Sequence, residues 1–221
     1  MFGAELTGLA CGITSPHVSE AGQRRPNYVA LAPQAPLGAI CAPDLLGGVR
    51  ELELELGFGR GGFLLERARA CRSRGLIGIE LKAKWVCVAA CRLREQRLHN
   101  VRVFHGDARE LLPRFEPDAC IRRAFVHFPD PWWKKRHLKR RLLGDTLVQE
   151  LARLLEPAGE LFVQTDVQER AVELAARLRV HPGFCLQQQP PDVNPYGARS
   201  NRERRAEQDG LPIYRVLARR T

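Results

Sequence analysis

The sequence predicts an α/β fold in which a mostly parallel sheet carries helices on both faces. Three observations support this fold class. From Glu51 onward, short apolar segments typical of strands alternate with segments of helical periodicity. A glycine-rich turn, GFGRGG at 57–62, separates the first such strand from the first helix. Near the end of the chain, two strand-like segments at 184–188 and 213–219 predict a closing antiparallel hairpin with a long connection.

Five parallel strands are predicted from apolar patterning. The first alternates acid and leucine, as the two faces of a strand require, and the others are short apolar runs. The predicted strands are Glu51–Leu56, Leu76–Leu81, Val101–His105, Cys120–Phe128 and Glu160–Gln164.

Helices are predicted between these strands. The segment 82–98 places Trp85, Val88, Ala89 and Leu93 at core-facing spacing, and Pro157 and Gly159 end the helix before the fifth strand. The predicted helices span about 62–73, 82–98, 146–155 and 167–179.

The chain has 221 residues, of which 44% are hydrophobic, and this size suits one domain. We assign that domain to residues 46–221. Residues 1–45 contain five prolines and are interpreted as an N-terminal extension, partly irregular, that lies on the core or is partly disordered.

A net charge of +10 predicts an anionic partner, such as nucleic acid, an anionic membrane or an acidic protein. No apolar run is long enough to span a membrane, and the N-terminus lacks the basic start of a signal peptide, so we expect a cytoplasmic protein. Cys87 and Cys91 are four apart on a predicted helix, but no second pair completes a metal site, and we predict no metal.

Candidate ligand-binding residues follow the first three strands, where parallel sheets bind their ligands. Gly57 and Gly59 allow a ligand to approach the backbone, although a G-x-G-x-x-G match alone is weak. Glu80 suits the two ribose hydroxyls of an adenosine, or is a solvated surface acid. Asp107, which precedes Ala108, suits the adenine amine, caps the following helix, or does both.

Glu55 indicates which adenosine compound binds there. A carboxylate directly before the glycines attracts the cationic methionine end of S-adenosylmethionine and repels a pyrophosphate. This disfavours a nicotinamide oxidoreductase, for which the sequence also offers no recognisable hydride-transfer site.

The fourth strand is followed by a second constellation, HFPDPWWKKRHLKRR at 127–141. Two prolines frame Asp130, aromatic residues offer stacking surfaces for an unstacked base, and six Lys or Arg residues within eight positions suit phosphates. A basic run alone is usually a solvated helix face. Together with the carboxylate and the aromatic residues, it predicts an RNA-binding active site.

These motifs resemble those of the bacterial tRNA (guanine-N7-)-methyltransferases. The resemblance covers about Glu53 to Arg220, through LELGFGRGGFL, GIELK, GDA, HFPDPWWKKRHLKRRL, QTD and SNRERRAEQDGLPIYR, and the FPDPW stretch is its most specific part. It implies a Rossmann-like class I methyltransferase fold and methyl transfer from S-adenosylmethionine to N7 of the variable-loop guanine of tRNA (position 46).

The resemblance also implies roles for individual residues. The cofactor side would comprise Glu55, Gly57, Gly59, Glu80, Asp107, Ala108 and Asp130, with Asp130 also catalytic. The substrate side would comprise Lys134, Asp166, Ser200, Asn201, Arg202 and Glu203, and the tRNA backbone would contact Lys135, Arg136, Lys139 and Arg140. For Asp166, the residue pattern alone equally suits a helix N-cap.

Two features depart from the family pattern, and two alternative functions remain open. Ser200–Glu203 lacks the threonine and the aromatic residue of some family members, and the pattern does not explain Arg122 and Arg123 on the fourth strand. The alternatives are a methyltransferase for a protein or small molecule, which leaves the basic run unused, and a non-enzymatic RNA-binding protein, which predicts a broken cofactor turn. We expect a monomer or a homodimer.

Overall fold

A computed structural model describes residues 26–47, 49–129 and 143–221 of the chain. Its main sheet has seven strands, of which the first five along the chain are parallel. The strands are β2 (Glu51–Leu56), β3 (Arg74–Glu80), β4 (Val101–His105), β6 (Ile121–His127), β7 (Leu155–Thr165), β8 (Phe184–Leu186) and β9 (Tyr214–Arg220). Their order across the sheet is β4-β3-β2-β6-β7-β9-β8.

The closing hairpin predicted from the sequence is confirmed. Strand β9 runs antiparallel to both β7 and β8, with Val163 opposite Val216 and Cys185 opposite Arg219. A parallel five-stranded body with an antiparallel end confirms the predicted α/β class.

Seven α-helices accompany the strands in the described residues. They are α1 (Tyr28–Leu31), α2 (Gly62–Ala70), α3 (Ala83–Glu95), α4 (Ala108–Leu111), α5 (Asp145–Leu154), α6 (Gln168–Val180) and α7 (Asn201–Gln208). Helices α4, α5 and α6 cover the sheet face that carries Leu54, Leu56 and Val163, while α2 and α3 cover the other face.

The predicted N-terminal extension is described from residue 26 and lies on the core. Ile40 and Ala42 are buried in the larger apolar cluster, and Ile40–Cys41 (β1) pairs in parallel with Phe115–Glu116 (β5). The division at residue 45 stays a prediction.

Two elements differ from the sequence expectation. Strand β7 begins at Leu155, directly after α5. Its register against β6 shifts between Ile121 and Arg123, and this irregularity accommodates Pro157 and Gly159 within the strand. Helix α7 was not predicted, because its sequence NRERRAEQ has no apolar stripe.

Candidate functional site

The glycine turn joins β2 to α2 at the carboxyl edge of the sheet. Gly57, Gly59 and Gly61 all have positive φ, at 71°, 54° and 75°. This backbone region is strained for residues that carry a side chain and readily adopted by glycine. The Gly57 amide donates to the Ile79 carbonyl at 2.8 Å, which anchors the turn to β3. The turn therefore has a backbone conformation that glycine adopts readily, and its predicted contact with a ligand stays a prediction.

Glu80 ends β3 beside this turn and is 7% exposed, so it is not a solvated surface acid. Its Oε2 accepts from the Gly59 amide at 2.9 Å, and its Oε1 accepts from the Lys82 amide at 2.8 Å. The carboxylate thus holds the glycine turn in place. Each oxygen keeps a further lone pair, so the predicted ribose contact is compatible with this arrangement.

Asp107 follows β4 and is the N-cap of α4, where its carboxylate accepts from the Arg109 amide at 2.9 Å. The Arg109 guanidinium also contacts it, and this hydrogen bond lowers the pKa of the Asp107 carboxyl. Asp107 is therefore an ionised acceptor at the third strand end, and Ala108 is buried beside it. Its predicted adenine contact stays a prediction.

Glu55 is buried at the end of β2, with its side chain 2% exposed. Its Oε1 lies 2.9 Å from Nδ1 of His127, the last residue of the neighbouring strand β6. Burial raises the pKa of the Glu55 carboxyl, and the hydrogen bond from His127 opposes part of that rise. Within the described residues, Glu55 Oε2 has no hydrogen-bond partner.

His127 is a residue of this site that sequence reasoning missed. The available signal was its position at the strand end, three residues before Asp130 and level with the end of β2. A histidine in an apolar strand is usually a core residue, so this position alone does not indicate a site residue.

The predicted substrate residues Ser200–Glu203 form the start of α7. Ser200 is the N-cap: its Oγ accepts from the Glu203 amide at 3.1 Å, and Glu203 Oε2 accepts from the Ser200 amide at 3.3 Å. Glu203 is fully buried and also accepts from Gln164 at 2.8 Å and Asn194 at 3.1 Å. These bonds give Ser200 and Glu203 a structural role, and their substrate contacts stay predictions.

The two residues between Ser200 and Glu203 contact other parts of the site. Asn201 Oδ1 accepts from the Gly62 amide at 3.1 Å, so the substrate-side segment rests on the first residue of α2 after the glycine turn. Arg202 Nε donates to Asp166 at 3.1 Å, which brings these two predicted substrate residues together. The alternative that Asp166 caps α6 is wrong, because the N-cap is Val167.

Six predicted site residues lie outside the described residues. They are Asp130, Lys134, Lys135, Arg136, Lys139 and Arg140. Their roles stay predictions. Asp130 follows Pro129 directly in the chain, three positions after the His127 that contacts Glu55.

A network of ion pairs, here called the charged ladder, lies next to the site on the same sheet face. It is formed by Glu53, Arg67, Arg123 and Glu160. Glu53 is fully buried and accepts two hydrogen bonds from Arg67 of α2, at 2.8 and 2.7 Å, and a third from Arg123 of β6 at 3.2 Å. Arg123 also donates to Glu160 of β7 at 3.2 Å. This pairing explains why an arginine occupies the interior of the fourth parallel strand.

Because burial raises the pKa of the Glu55 carboxyl, we expect a pH-dependent stability. A carboxyl with a raised folded pKa contributes its full stability below the pKa of unfolded glutamate, about 4.3, and loses it as pH rises through the folded value. We therefore expect the unfolding free energy of the ligand-free protein to fall relative to that of Glu55→Gln as pH rises. Near pH 8 the variant should be the more stable by about 0.5–2 kcal/mol.

Urea titrations across this pH range measure both proteins. Glu51→Gln is the control of opposite sign: Arg74 and Arg123 outweigh the effect of burial and lower the pKa of Glu51, so wild type should gain stability over this variant as pH rises. A pH-independent difference between wild type and Glu55→Gln would contradict the prediction.

Within residues 26–47, 49–129 and 143–221, no helix is long and apolar enough to cross a membrane. The same ranges contain no cluster of three or more histidine, cysteine or acidic residues arranged to hold a metal ion.

Comparison with known proteins places this chain in a family. A family model described as putative methyltransferase matches residues 50–216. The tRNA (guanine-N(7)-)-methyltransferase of Anaeromyxobacter dehalogenans is 40% identical over 172 residues, which are 75% of this chain and 83% of that protein. The protein of the same name from Nitrosococcus oceani is 43% identical over 131 residues, which are 59% of this chain and 56% of that protein.

Among solved structures, the 16S rRNA methyltransferase KamB superposes with a TM-score of 0.60 at 18% identity, covering 80% of this chain and 91% of that one. This likeness confirms the Rossmann-like methyltransferase fold. The family match and the identity to relatives along most of the chain confirm the resemblance seen in the motifs. The chain belongs to the tRNA (guanine-N(7)-)-methyltransferase family.

Proposed function

We propose that this protein transfers a methyl group from S-adenosylmethionine to N7 of the variable-loop guanine (position 46) of tRNA, giving 7-methylguanosine and S-adenosylhomocysteine. The observation that carries the proposal is the hydrogen bond between Asn201 and the Gly62 amide. Through this contact, the predicted substrate segment rests directly beside the predicted cofactor turn. A methyl donor and an acceptor base bound by these two elements would meet at one sheet edge.

The residues at this edge fit S-adenosylmethionine. Oε2 of Glu55, which is buried and has no hydrogen-bond partner among the described residues, offers an acceptor for the ammonium group of the methionine half. Glu80 offers carboxylate lone pairs to the ribose hydroxyls, and the ionised Asp107 offers an acceptor for the adenine amine. The cofactor would supply a methyl group activated by the sulfonium charge.

Guanine N7 carries a lone pair and needs no deprotonation before it attacks the methyl carbon. The protein therefore contributes mainly alignment, which lowers barriers by roughly 7–11 kcal/mol in well-oriented systems. In this proposal, Asp130 accepts hydrogen bonds from the guanine N–H donors and offsets the positive charge that develops on the ring. Arg202 and Asp166, which contact each other, lie on the side assigned to the RNA.

The proposal extends to location and assembly. The enzyme would act in the cytoplasm, where tRNA and the methyl donor meet, as a monomer or a homodimer. It needs no metal ion, because a neutral nucleophile attacks a cationic donor.

The decisive experiment incubates the protein with methyl-labelled S-adenosylmethionine and an unmodified tRNA transcript, then applies borohydride and aniline, which cleave at 7-methylguanosine. Label together with cleavage at the variable-loop guanine is the expected result. Label without cleavage would retain a methyltransferase and refute the N7 assignment. A folded preparation that transfers no label would favour the RNA-binding alternative.

The basic run is expected to hold the tRNA backbone. Neutralising Lys135, Arg136, Lys139 and Arg140 to glutamine removes up to four positive charges that face phosphates, so the slope of log Kd against log salt should flatten by about one for each phosphate that is no longer neutralised. Fluorescence anisotropy with labelled tRNA at several salt concentrations measures this slope.

The matched control replaces four exposed basic residues on other elements, Arg69, Arg94, Arg97 and Arg179. This variant carries the same change in net charge and should keep most of the slope. S-adenosylmethionine affinity should be unchanged in both variants. A slope equal to that of wild type in the first variant would place the tRNA elsewhere on the surface.

A further inference from the structure

Glu55 and His127 form a buried contact within the site. Both side chains are 2% exposed, and Nδ1 of His127 lies 2.9 Å from Oε1 of Glu55. In the part of the chain that the structure describes, the outer atoms of the pair, Glu55 Oε2 and His127 Nε2, have no hydrogen-bond partner. Unpartnered buried polar atoms are rare in folded proteins and call for an explanation.

The pair is located where the cofactor is expected. Glu55 lies two residues before Gly57, and His127 ends the adjacent parallel strand, with Glu55 opposite Phe125. The side chains therefore meet at the same sheet edge as the glycine turn and Glu80.

The surroundings of His127 fix its ring. Its centroid lies 4.3 Å from that of Phe63 and 6.0 Å from that of Phe125, and Phe162 approaches edge-on at 6.2 Å. A ring packed on several sides by aromatic groups does not change rotamer freely. The imidazole accordingly holds one oxygen of Glu55 in a fixed place.

A buried carboxylate with an apolar neighbour instead of His127 would lose this orientation and would be protonated more readily. An imidazole that donates its Nδ1–H to the carboxylate avoids both losses.

We propose that His127 is a positioning residue for the cofactor: it holds Glu55 so that the free carboxylate oxygen receives the ammonium group of S-adenosylmethionine. This inference rests on the proposed function. It assigns a role to a residue that contacts neither the methyl group nor the RNA in the proposed reaction.

The test measures the Kd of S-adenosylmethionine by isothermal titration calorimetry on the full chain. His127→Leu and His127→Asn are the matched pair, because leucine and asparagine have nearly the same shape and only asparagine retains a donor near the Nδ1 position. We expect the Leu variant to bind about tenfold more weakly or worse and the Asn variant to stay within about threefold of wild type.

A double-mutant cycle separates positioning from packing. In a Glu55→Gln background, His127→Leu should cause no further loss of cofactor affinity, because the carboxylate that it positions is absent. Leu217→Ala removes apolar packing from the same aromatic cluster, so it should lower Tm and leave the Kd unchanged. If the Leu variant fails to fold, His127→Gln, which moves the amide away from the Nδ1 position, takes its place with the same expected loss.

Three results would overturn the inference: unchanged affinity in His127→Leu, equal losses in the Leu and Asn variants, or the same loss with and without Glu55. Failure of the proposed function looks different, because wild type itself would then bind no S-adenosylmethionine or would methylate no tRNA.

Discussion

Replacing Arg67 by methionine is expected to lower the free energy of unfolding by about 3–5 kcal/mol. The arginine is buried and donates two hydrogen bonds to Glu53, which is itself fully buried, and a third to the Tyr196 carbonyl at 2.6 Å. Methionine fills much of the same volume but leaves Glu53, among the residues that the structure describes, with only the weaker contacts from Arg123 and Arg74, at 3.2 and 3.7 Å. A buried charge that loses its principal partner is among the largest single costs known in folded proteins.

Urea denaturation followed by far-ultraviolet circular dichroism measures this loss. Arg69→Met, two positions along the same helix and exposed, is the control and should change stability by less than about 0.5 kcal/mol. Adding Glu53→Gln to Arg67→Met removes the unpaired charge and should recover part of the loss. A loss below about 1 kcal/mol in Arg67→Met would show that the ladder contributes little.

Replacing Asp130 by alanine is expected to reduce the turnover number for methyl transfer by about a hundredfold or more, the scale on which removing one electrostatic contact to a transition state acts. Asn keeps the size and some hydrogen bonding but not the charge, so Asp130→Asn should lie between alanine and wild type. The reason is that methylation places a positive charge on the guanine ring, which a carboxylate offsets and an amide does not.

Single-turnover kinetics with saturating tRNA and S-adenosylmethionine separate this effect from binding. Asp192→Asn, which changes an exposed acid, is the control and should be near normal. Near-normal turnover in both Asp130 variants would refute the assigned role.

Much of the fold follows from local pattern. The five parallel strands and the long helices were predicted within a few residues, because apolar periodicity and helix-ending residues act over a few positions. The site edge was also predictable, since the carboxyl ends of parallel strands meet at one edge. Glu55, the glycine turn, Glu80 and Asp107 do lie at that edge.

Helix α7 could not be predicted from the local sequence pattern. Its residues have no apolar stripe, and only the capping box of Ser200 and Glu203 marks its start. The helix is stabilised because the buried Glu203 accepts hydrogen bonds from Gln164, 39 residues away, and from Asn194, nine residues away.

By itself, the sequence determined the order of strands and helices, the glycine turn and the motif on which the family resemblance rests, because each is encoded in neighbouring residues. Only the tertiary structure decided whether the acids of the first strand are exposed or buried. Alternation of glutamate and leucine predicts one polar face, yet Glu53 and Glu55 are buried, because Arg67, Arg123 and His127 reach them from 14, 70 and 72 residues away. Such partners are invisible to local pattern, since a buried charge is stabilised by whatever the fold brings within a few ångströms of it.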